Sequence, residues 1–243
     1  YKGIVEKLKE YGPEEKLYDE WLVKHETKQL QWAPGKDPFV GLDMFDEYCS
    51  NPATDTEDWP VATLPAYLEQ TAGEVDGIIW YRKKIEVPAT WEGKNLTINL
   101  GPIDDRDVTY FNGTRVGAHE ESGFYQTIRT YTIPAELVKA GEAVIAVKIT
   151  DNQGGGGMCG RPDQLSIHPV GDASAAISLA GEWQYALVGE LKKGKLYVFD
   201  PQNKEWKDRP FLSLQLSQNT ASSLYNGMID ALVPYTLRGA IWY

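Results

Sequence analysis

The stretch Gly101-Pro-Ile-Asp-Asp-Arg-Asp-Val-Thr-Tyr-Phe-Asn-Gly-Thr-Arg-Val-Gly117 decides the fold. Val108 and Tyr110 alternate along an extended segment, and Asn112-Gly113 then matches a type I′ turn, whose two central residues both need positive φ. The stretch therefore reads as a β-hairpin. The same period of two continues outward from it. In Gly77–Val87, Tyr81, Ile85 and Val87 fall on one side, and Trp80, Arg82, Lys84 and Glu86 on the other. Leu96, Ile98 and Leu100 alternate likewise, as do Ile145, Val147 and Ile149. Pro88, Gly93, Gly101, Pro134 and Gly141 punctuate these runs, and short alternating strands with turns every ~8–12 residues predict an antiparallel sandwich or barrel.

The flanks read differently. Ile4, Val5 and Leu8 recur at helical spacing until Tyr11-Gly12-Pro13, and a second helix fits Glu14 to about Gln31, with acidic residues in its first turn and Leu17, Trp21 and Leu22 on one face. After Gly171, residues Ile177–Val188 and Leu196–Phe199 read as a last hairpin region. Leu224, Met228 and Leu232 return to helical spacing, and Ala240-Ile241-Trp242-Tyr243 starts an apolar strand, a helix–strand succession typical of α/β domains. The expected organisation is a helical flank over residues 1–56, a jelly-roll β-sandwich over 57–171, and a β-hairpin region with a return to an α/β hydrolase domain over 172–243. The fold class is thus mainly β.

Composition excludes several functions. The chain of 243 residues carries 35 acidic and 24 basic side chains, a formal net charge of -11, so a polyanion such as nucleic acid is repelled and is not an expected partner. No apolar run approaches the ~20 residues that span a bilayer, so no membrane partner is expected. Cys49 and Cys159 are too few for a disulfide framework and lack metal-ligand spacing; two free thiols are the preferred reading over one disulfide. Gly154–Gly157 reads as an exposed loop or a point of close backbone approach, because no Lys-Ser/Thr follows to make it a phosphate cradle.

Trp80-Tyr81-Arg82 after Asp76-Gly77, then Leu100-Gly101-Pro-Ile-Asp104-Asp105-Arg-Asp107, Asn112-Gly113 and Val116-Gly117 resemble the galactose-binding-like jelly roll that opens β-galactosidase- and β-glucuronidase-type glycosidases. A longer ordered series resembles the sialate O-acetylesterases: Arg129-Thr-Tyr131-Thr-Ile-Pro134, Ala140-Gly141, Val147 through Asp151, Gly154–Gly157, Leu179-Ala-Gly181-Glu-Trp183 and Leu224–Ile229. These are SGNH-type serine hydrolases that remove acetyl groups from sialic acids, and such a jelly roll interrupts their catalytic domain. The resemblance covers roughly residues 59 to 243. It implies a carbohydrate-esterase parent without metal or organic cofactor, the catalytic SGNH domain of the same parent as partner, acetylated sialoglycan as a contact, and a periplasmic or extracellular location.

The chain departs from that family where chemistry is concerned. The Gly-Gln-Ser-Asn nucleophile segment is missing, and Gly171-Asp-Ala-Ser174 displaces the hydroxyl of the related Gly-Asp-Ser form by one residue, so Ser174 is read as a loop serine. The base of Asp-x-x-His is missing too, since Leu22, Val116 and Leu165 stand three positions before His25, His119 and His168. The block beginning Ile-Trp-Tyr normally runs into Gln-Gly-Glu and here stops at Tyr243. No catalytic residue is therefore assigned, and the expected function is a non-catalytic accessory region of such an esterase. The alternatives are an independent carbohydrate-binding module or the jelly-roll domain of a β-glycosidase.

Four residues are candidates for ligand binding: Asp105, Asp107, Arg129 and Tyr131. The aspartates, with Asp104, would bind a cation or sugar hydroxyls, but pairing with Arg129 or accepting backbone N–H groups is preferred because the remaining ligands of a calcium loop are missing. Arg129 and Tyr131 lie two apart and so share a face, where they line a saccharide groove, meet a catalytic domain, or simply pair at the surface. Trp80 and Trp183 are read as core before sugar platforms. The adjacent Glu120-Glu121 cannot face each other across a substrate as glycosidase carboxylates do.

Overall fold

The computed structural model describes residues 13–210 apart from 32, 74 and 122. The chain divides into two compact units, residues 25–208 and a second made of residues 1–24 with 209–243. In the second unit the described helix α1 covers residues 13–22; Tyr18 and Leu22 are buried, and Arg209 Nε donates to Tyr18 Oη at 3.0 Å. The expected helices around residues 4–8 and over 222–237 and the apolar strand 240–243 lie outside the described residues.

The helix expected to reach Gln31 ends at residue 22: Tyr18 and Leu22 are its buried positions, and His25 and Glu26, three and four residues on, do not continue their apolar stripe. The chain instead enters the other unit as strand β1 (Glu26–Lys28). There follow α2 (Asp46–Ser50), β2 (Val61–Leu64), β3 (Ala66–Tyr67), α3 (Leu68–Ala72), β4 (Gly77–Val87), β5 (Leu96–Asp104), β6 (Arg106–Phe111) and β7 (Thr114–His119). The rest are β8 (Ile128–Ile133), β9 (Gly141–Asp151), β10 (Gly157–Met158), β11 (Leu165–Pro169), β12 (Ile177–Ser178), β13 (Gly181–Lys192) and β14 (Lys195–Val198). Among the described residues no helix is long and apolar enough to cross a membrane.

These strands form two sheets of a β-sandwich, antiparallel throughout. The larger runs β1-β14-β13-β4-β9-β6-β7, with β2 also paired to β13; the smaller runs β12-β11-β5-β10-β3, with β8 also on β5. Register explains the core. Ile79 lies opposite Ile149 and Leu187, Tyr81 opposite Val147 and Tyr185, and Phe111 opposite Ile145, so they share one face of the large sheet. In the small sheet Ile98 lies opposite Ile167 and Tyr131, and Leu96 opposite Ile133. The aliphatic members are fully buried, each stabilising the fold by roughly 1.5–3 kcal/mol. At the β6–β7 turn Asn112 (φ 47°) and Gly113 (φ 80°) take the predicted left-handed pair, and Asn112 Oδ1 also accepts from Val144 N at 2.8 Å.

The other face of the large sheet is covered as well, and Trp80 is core as its residue type suggests. Trp80 and Arg82 are buried there, under the segment that contains α2. Trp80 Nε1 donates to Met44 O at 2.8 Å, and Arg82 Nη1 donates to Cys49 O and Asn51 O at 2.6 and 2.9 Å. Lys148 Nζ reaches Asp46 Oδ2 at 2.6 Å, and Tyr110 Oη donates to the same oxygen at 2.7 Å. Polar tips on an otherwise apolar face thus find main-chain carbonyls and one aspartate in the covering segment, which is what permits their burial. Both cysteines are free.

Candidate functional site

Three of the four candidate residues meet inside the sandwich. Asp107 lies opposite Ile149, on the inner face of the large sheet, and Arg129 and Tyr131 project from β8 of the small one. Arg129 Nε donates to Asp107 Oδ1 at 2.7 Å, and Tyr131 Oη reaches Asp107 Oδ2 at 2.8 Å. Thr109 Oγ1 adds a third donor at 3.1 Å. The remaining guanidinium N–H groups go to carbonyls: Nη1 to Phe124 O and Thr127 O, Nη2 to Ile103 O and Asp105 O, all between 2.6 and 2.9 Å. All five donors of Arg129 are therefore used, with the residue 1% exposed and Asp107 also 1%. Burial pushes the Asp107 carboxyl up, against the pull of Arg129, Tyr131 and Thr109. Gly117 makes room for the assembly: a Cβ there would stand 2.2 Å from ring atoms of Tyr131. Chemically this is a clamp between sheets whose two charged groups are closed to solvent, with the part-buried Tyr131 at its edge.

Asp105 is placed apart from the clamp's carboxylate, at the β5–β6 junction, and only its carbonyl serves Arg129. Its side chain lines a cleft of about 700 Å³ at one end of the sandwich. Asp76 enters from the start of β4, Asn152 and Gln153 from the end of β9, and Lys193 from the β13–β14 turn. Tyr125 comes from the β7–β8 loop, and Asp37 and Phe39 from the segment after β1. Arg106 organises the wall. It donates Nε to Glu120 O at 3.1 Å, Nη1 to Asn152 Oδ1 and Nη2 to Asp37 Oδ2, and its guanidinium stands 5.3 Å from the centre of the Phe39 ring. Asp105 Oδ2 accepts from Asn152 N at 3.1 Å. Of these residues the sequence analysis had singled out Asp105 alone. The others come from six separate segments, and no spacing in the chain announces their meeting.

Behind the cleft lies an acidic cluster. Burial, then the neighbouring Asp105 carboxyl and its hydrogen bond, raise Asp104 to about 7. Asp151, the last residue of β9, is 0% exposed; burial first and Asp76 second raise it to about 8. Its Oδ1 accepts from Gln153 N at 3.0 Å, while Oδ2 has no hydrogen-bond partner among the described residues. The glycine run accommodates this. A Cβ on Gly156 would stand 2.4 Å from Asp151 Oδ2, and one on Gly157 would stand 2.8 Å from Leu68 N. Gly156 and Gly157 are buried, whereas Gly154 and Gly155 are exposed, so both readings of the run hold in different halves. Among the described residues no three His, Cys, Asp or Glu are placed to hold a metal ion.

The other candidates are placed as follows. Ser174 sits exposed in a one-turn 3₁₀ helix and donates to Asp172 Oδ1 at 2.6 Å, not to a histidine. Trp183 is buried and donates Nε1 to Leu179 O. Glu120 accepts from Gly41 N and pairs with Arg115 at 2.6 Å.

No family model matches the chain, and no curated protein matches it. Solved structures do. A glycosyl hydrolase family 2 member from Bacteroides cellulosilyticus is 25% identical over 44% of this chain and 17% of its own, with a TM-score of 0.38. A β-glucuronidase from glycoside hydrolase family 2 is 20% identical over 44% of this chain and 12% of its own (TM-score 0.38). A Bacteroides uniformis β-glucuronidase is 20% identical over 66% of this chain and 18% of its own (TM-score 0.37). The chain spans less than a fifth of each of these. These scores are too low to add to the fold established by strand pairing.

The matches correct the sialate O-acetylesterase assignment: they are glycosidase structures, where the motif series implied an SGNH-type esterase. The physical reason lies in the motifs themselves. Gly101 (φ 67°) and Asn112-Gly113 are turn requirements, Gly117 is a packing requirement, and Asp107 and Arg129 form the clamp. They report a sandwich architecture, which fold-sharing proteins of different chemistry can have in common.

Proposed function

We propose that this chain is a non-catalytic β-sandwich domain of a larger glycoside-hydrolase-type protein. The observation that carries the reading is the use to which the buried charges are put. Asp107 and Arg129 saturate each other, two hydroxyls and four carbonyls inside the sandwich, with no face left toward a substrate. The likeness of Trp80-Tyr81-Arg82 and of the Leu100–Gly117 stretch to the jelly roll of β-galactosidase- and β-glucuronidase-type enzymes supports it further. Its role is to brace the catalytic region of the same protein and to present loops to the glycan.

The test compares this chain with the complete protein encoded by its gene, on nitrophenyl β-galactoside, β-glucoside and β-glucuronide. The complete protein is expected to hydrolyse one of them and the chain none. Turnover by the chain itself, or a complete protein inert toward every glycoside, would refute the reading.

A further inference from the structure

We propose that the cleft lined by Asp105, Arg106, Tyr125, Asn152 and Gln153 binds a neutral saccharide unit. The inference deepens the glycoside-hydrolase reading and rests on it for the ligand class. Three features of the wall support it independently.

The first is a ring. Tyr125 is 49% exposed on the cleft wall, offering an aromatic face on which the C–H face of a pyranose can stack with little loss of side-chain freedom. The second is a mixture of donors and acceptors. A sugar hydroxyl both donates and accepts, so its partners must include both kinds. Asp105 supplies a carboxylate whose Oδ2 is already oriented by Asn152 N. Asn152 Oδ1 accepts from Arg106, which turns the amide N–H groups of Asn152 away from that bond, and Gln153 is exposed. The third is rigidity: Glu120 O, Asn152 Oδ1 and Asp37 Oδ2 hold Arg106 from three sides, so the wall is built before any ligand arrives.

Charge then selects among sugars. The cleft has three acidic side chains, Asp37, Asp76 and Asp105, against Arg106 and Lys193, and Asp37 pairs directly with Arg106. The chain around it carries a net charge of -11. A uronate or sialate carboxylate would therefore enter a field of its own sign, with no unneutralised guanidinium to receive it. A neutral hexose meets no such barrier.

The experiment is saturation-transfer NMR and calorimetric titration of the chain with methyl β-galactoside, methyl β-glucoside, methyl α-mannoside and glucuronate. At least one neutral glycoside is expected to bind with millimolar Kd, and glucuronate at least tenfold more weakly than methyl β-glucoside. Tyr125→Ala should weaken the neutral ligand at least tenfold and Gln153→Ala severalfold, with Tm unchanged. Tyr125→Trp, which keeps a stacking face, should retain binding. Flat titrations for all three neutral glycosides, affinity indifferent to Tyr125→Ala, or glucuronate binding as tightly as the glucoside would each overturn the proposal. Because hydrolysis is read on the complete protein and binding on the chain, a dry cleft and a wrong parent reaction give different patterns of failure.

Discussion

Asp107 and Asp151 are aspartates on the large sheet, both buried, and they live in opposite surroundings. Asp107 faces the small sheet and receives a guanidinium N–H, a phenol and a threonine hydroxyl. Asp151 stands at the cleft end of β9, receives one backbone N–H from Gln153, and meets further carboxylates in Asp76, Asp105 and Glu69. Burial raises both carboxyls, but only at Asp107 does a cation oppose it from hydrogen-bond distance. A buried carboxylate with a full set of donors can hold two sheets together; one without them relieves its charge by taking a proton. Structure and proton binding thus divide between two neighbouring positions of one sheet, Asp107 opposite Ile149 and Asp151 two residues further along β9.

The largest effect should come from removing the cation. Arg129→Met leaves Asp107 buried without its counterion and deprives four carbonyls of their donor; a loss of about 3–5 kcal/mol is expected in urea denaturation. A loss below about 1 kcal/mol would mean that the clamp contributes little. Next is Gly117→Ala, whose Cβ must displace the Tyr131 ring from 2.2 Å; about 1–3 kcal/mol of destabilisation is expected, partly recovered when Tyr131 is also shortened to Leu. Full additivity of the two changes would show that the ring is not what Gly117 accommodates.

At Asp151 the effect depends on pH. Between an unfolded value near 4 and the folded value of about 8, the native state holds a proton at Asp151 that the unfolded state has released. Stability therefore falls as pH rises through that window, and Asp104 acts in the same sense up to about 7. Asp151→Asn should flatten the fall, giving a Tm above wild type at pH 9 and close to it at pH 5, with about 2–4 °C for each kcal/mol. Melting curves that run parallel across pH would contradict the assignment. The smallest effect belongs to Ser174→Ala, an exposed hydroxyl bound to Asp172, where stability should stay within about 0.5 kcal/mol.

How far the chain could be read before its structure follows from the range of each signal. Asn112-Gly113 is a local demand on two φ angles, so the hairpin was legible. Ile79, Tyr81 and their partners alternate because one face meets the other sheet, so the sandwich was legible too. Trp80 is legible as core from its residue type, whereas nothing in its own strand tells of the segment some 30 residues earlier that covers it and Arg82. The residues of β1 fall within a stretch whose sequence reads as helix, because the ladder that makes them a strand is supplied by β14, more than 160 residues away. Asp107 and Arg129 could be suspected as a pair, since each is conspicuous on an apolar strand. The cleft could not, because Asp37, Tyr125 and Gln153 are ordinary loop residues until six segments converge.

A double-mutant cycle across the sheets tests the clamp most directly, with Asp107→Leu and Arg129→Met measured singly and together by urea unfolding. If the pair is the clamp described, the double variant loses less than the sum of the singles, by about 2 kcal/mol or more, since each single strands a buried charge that the double removes. Additivity to within about 0.5 kcal/mol would contradict it, because Asp107 and Arg129 would then be acting independently of each other.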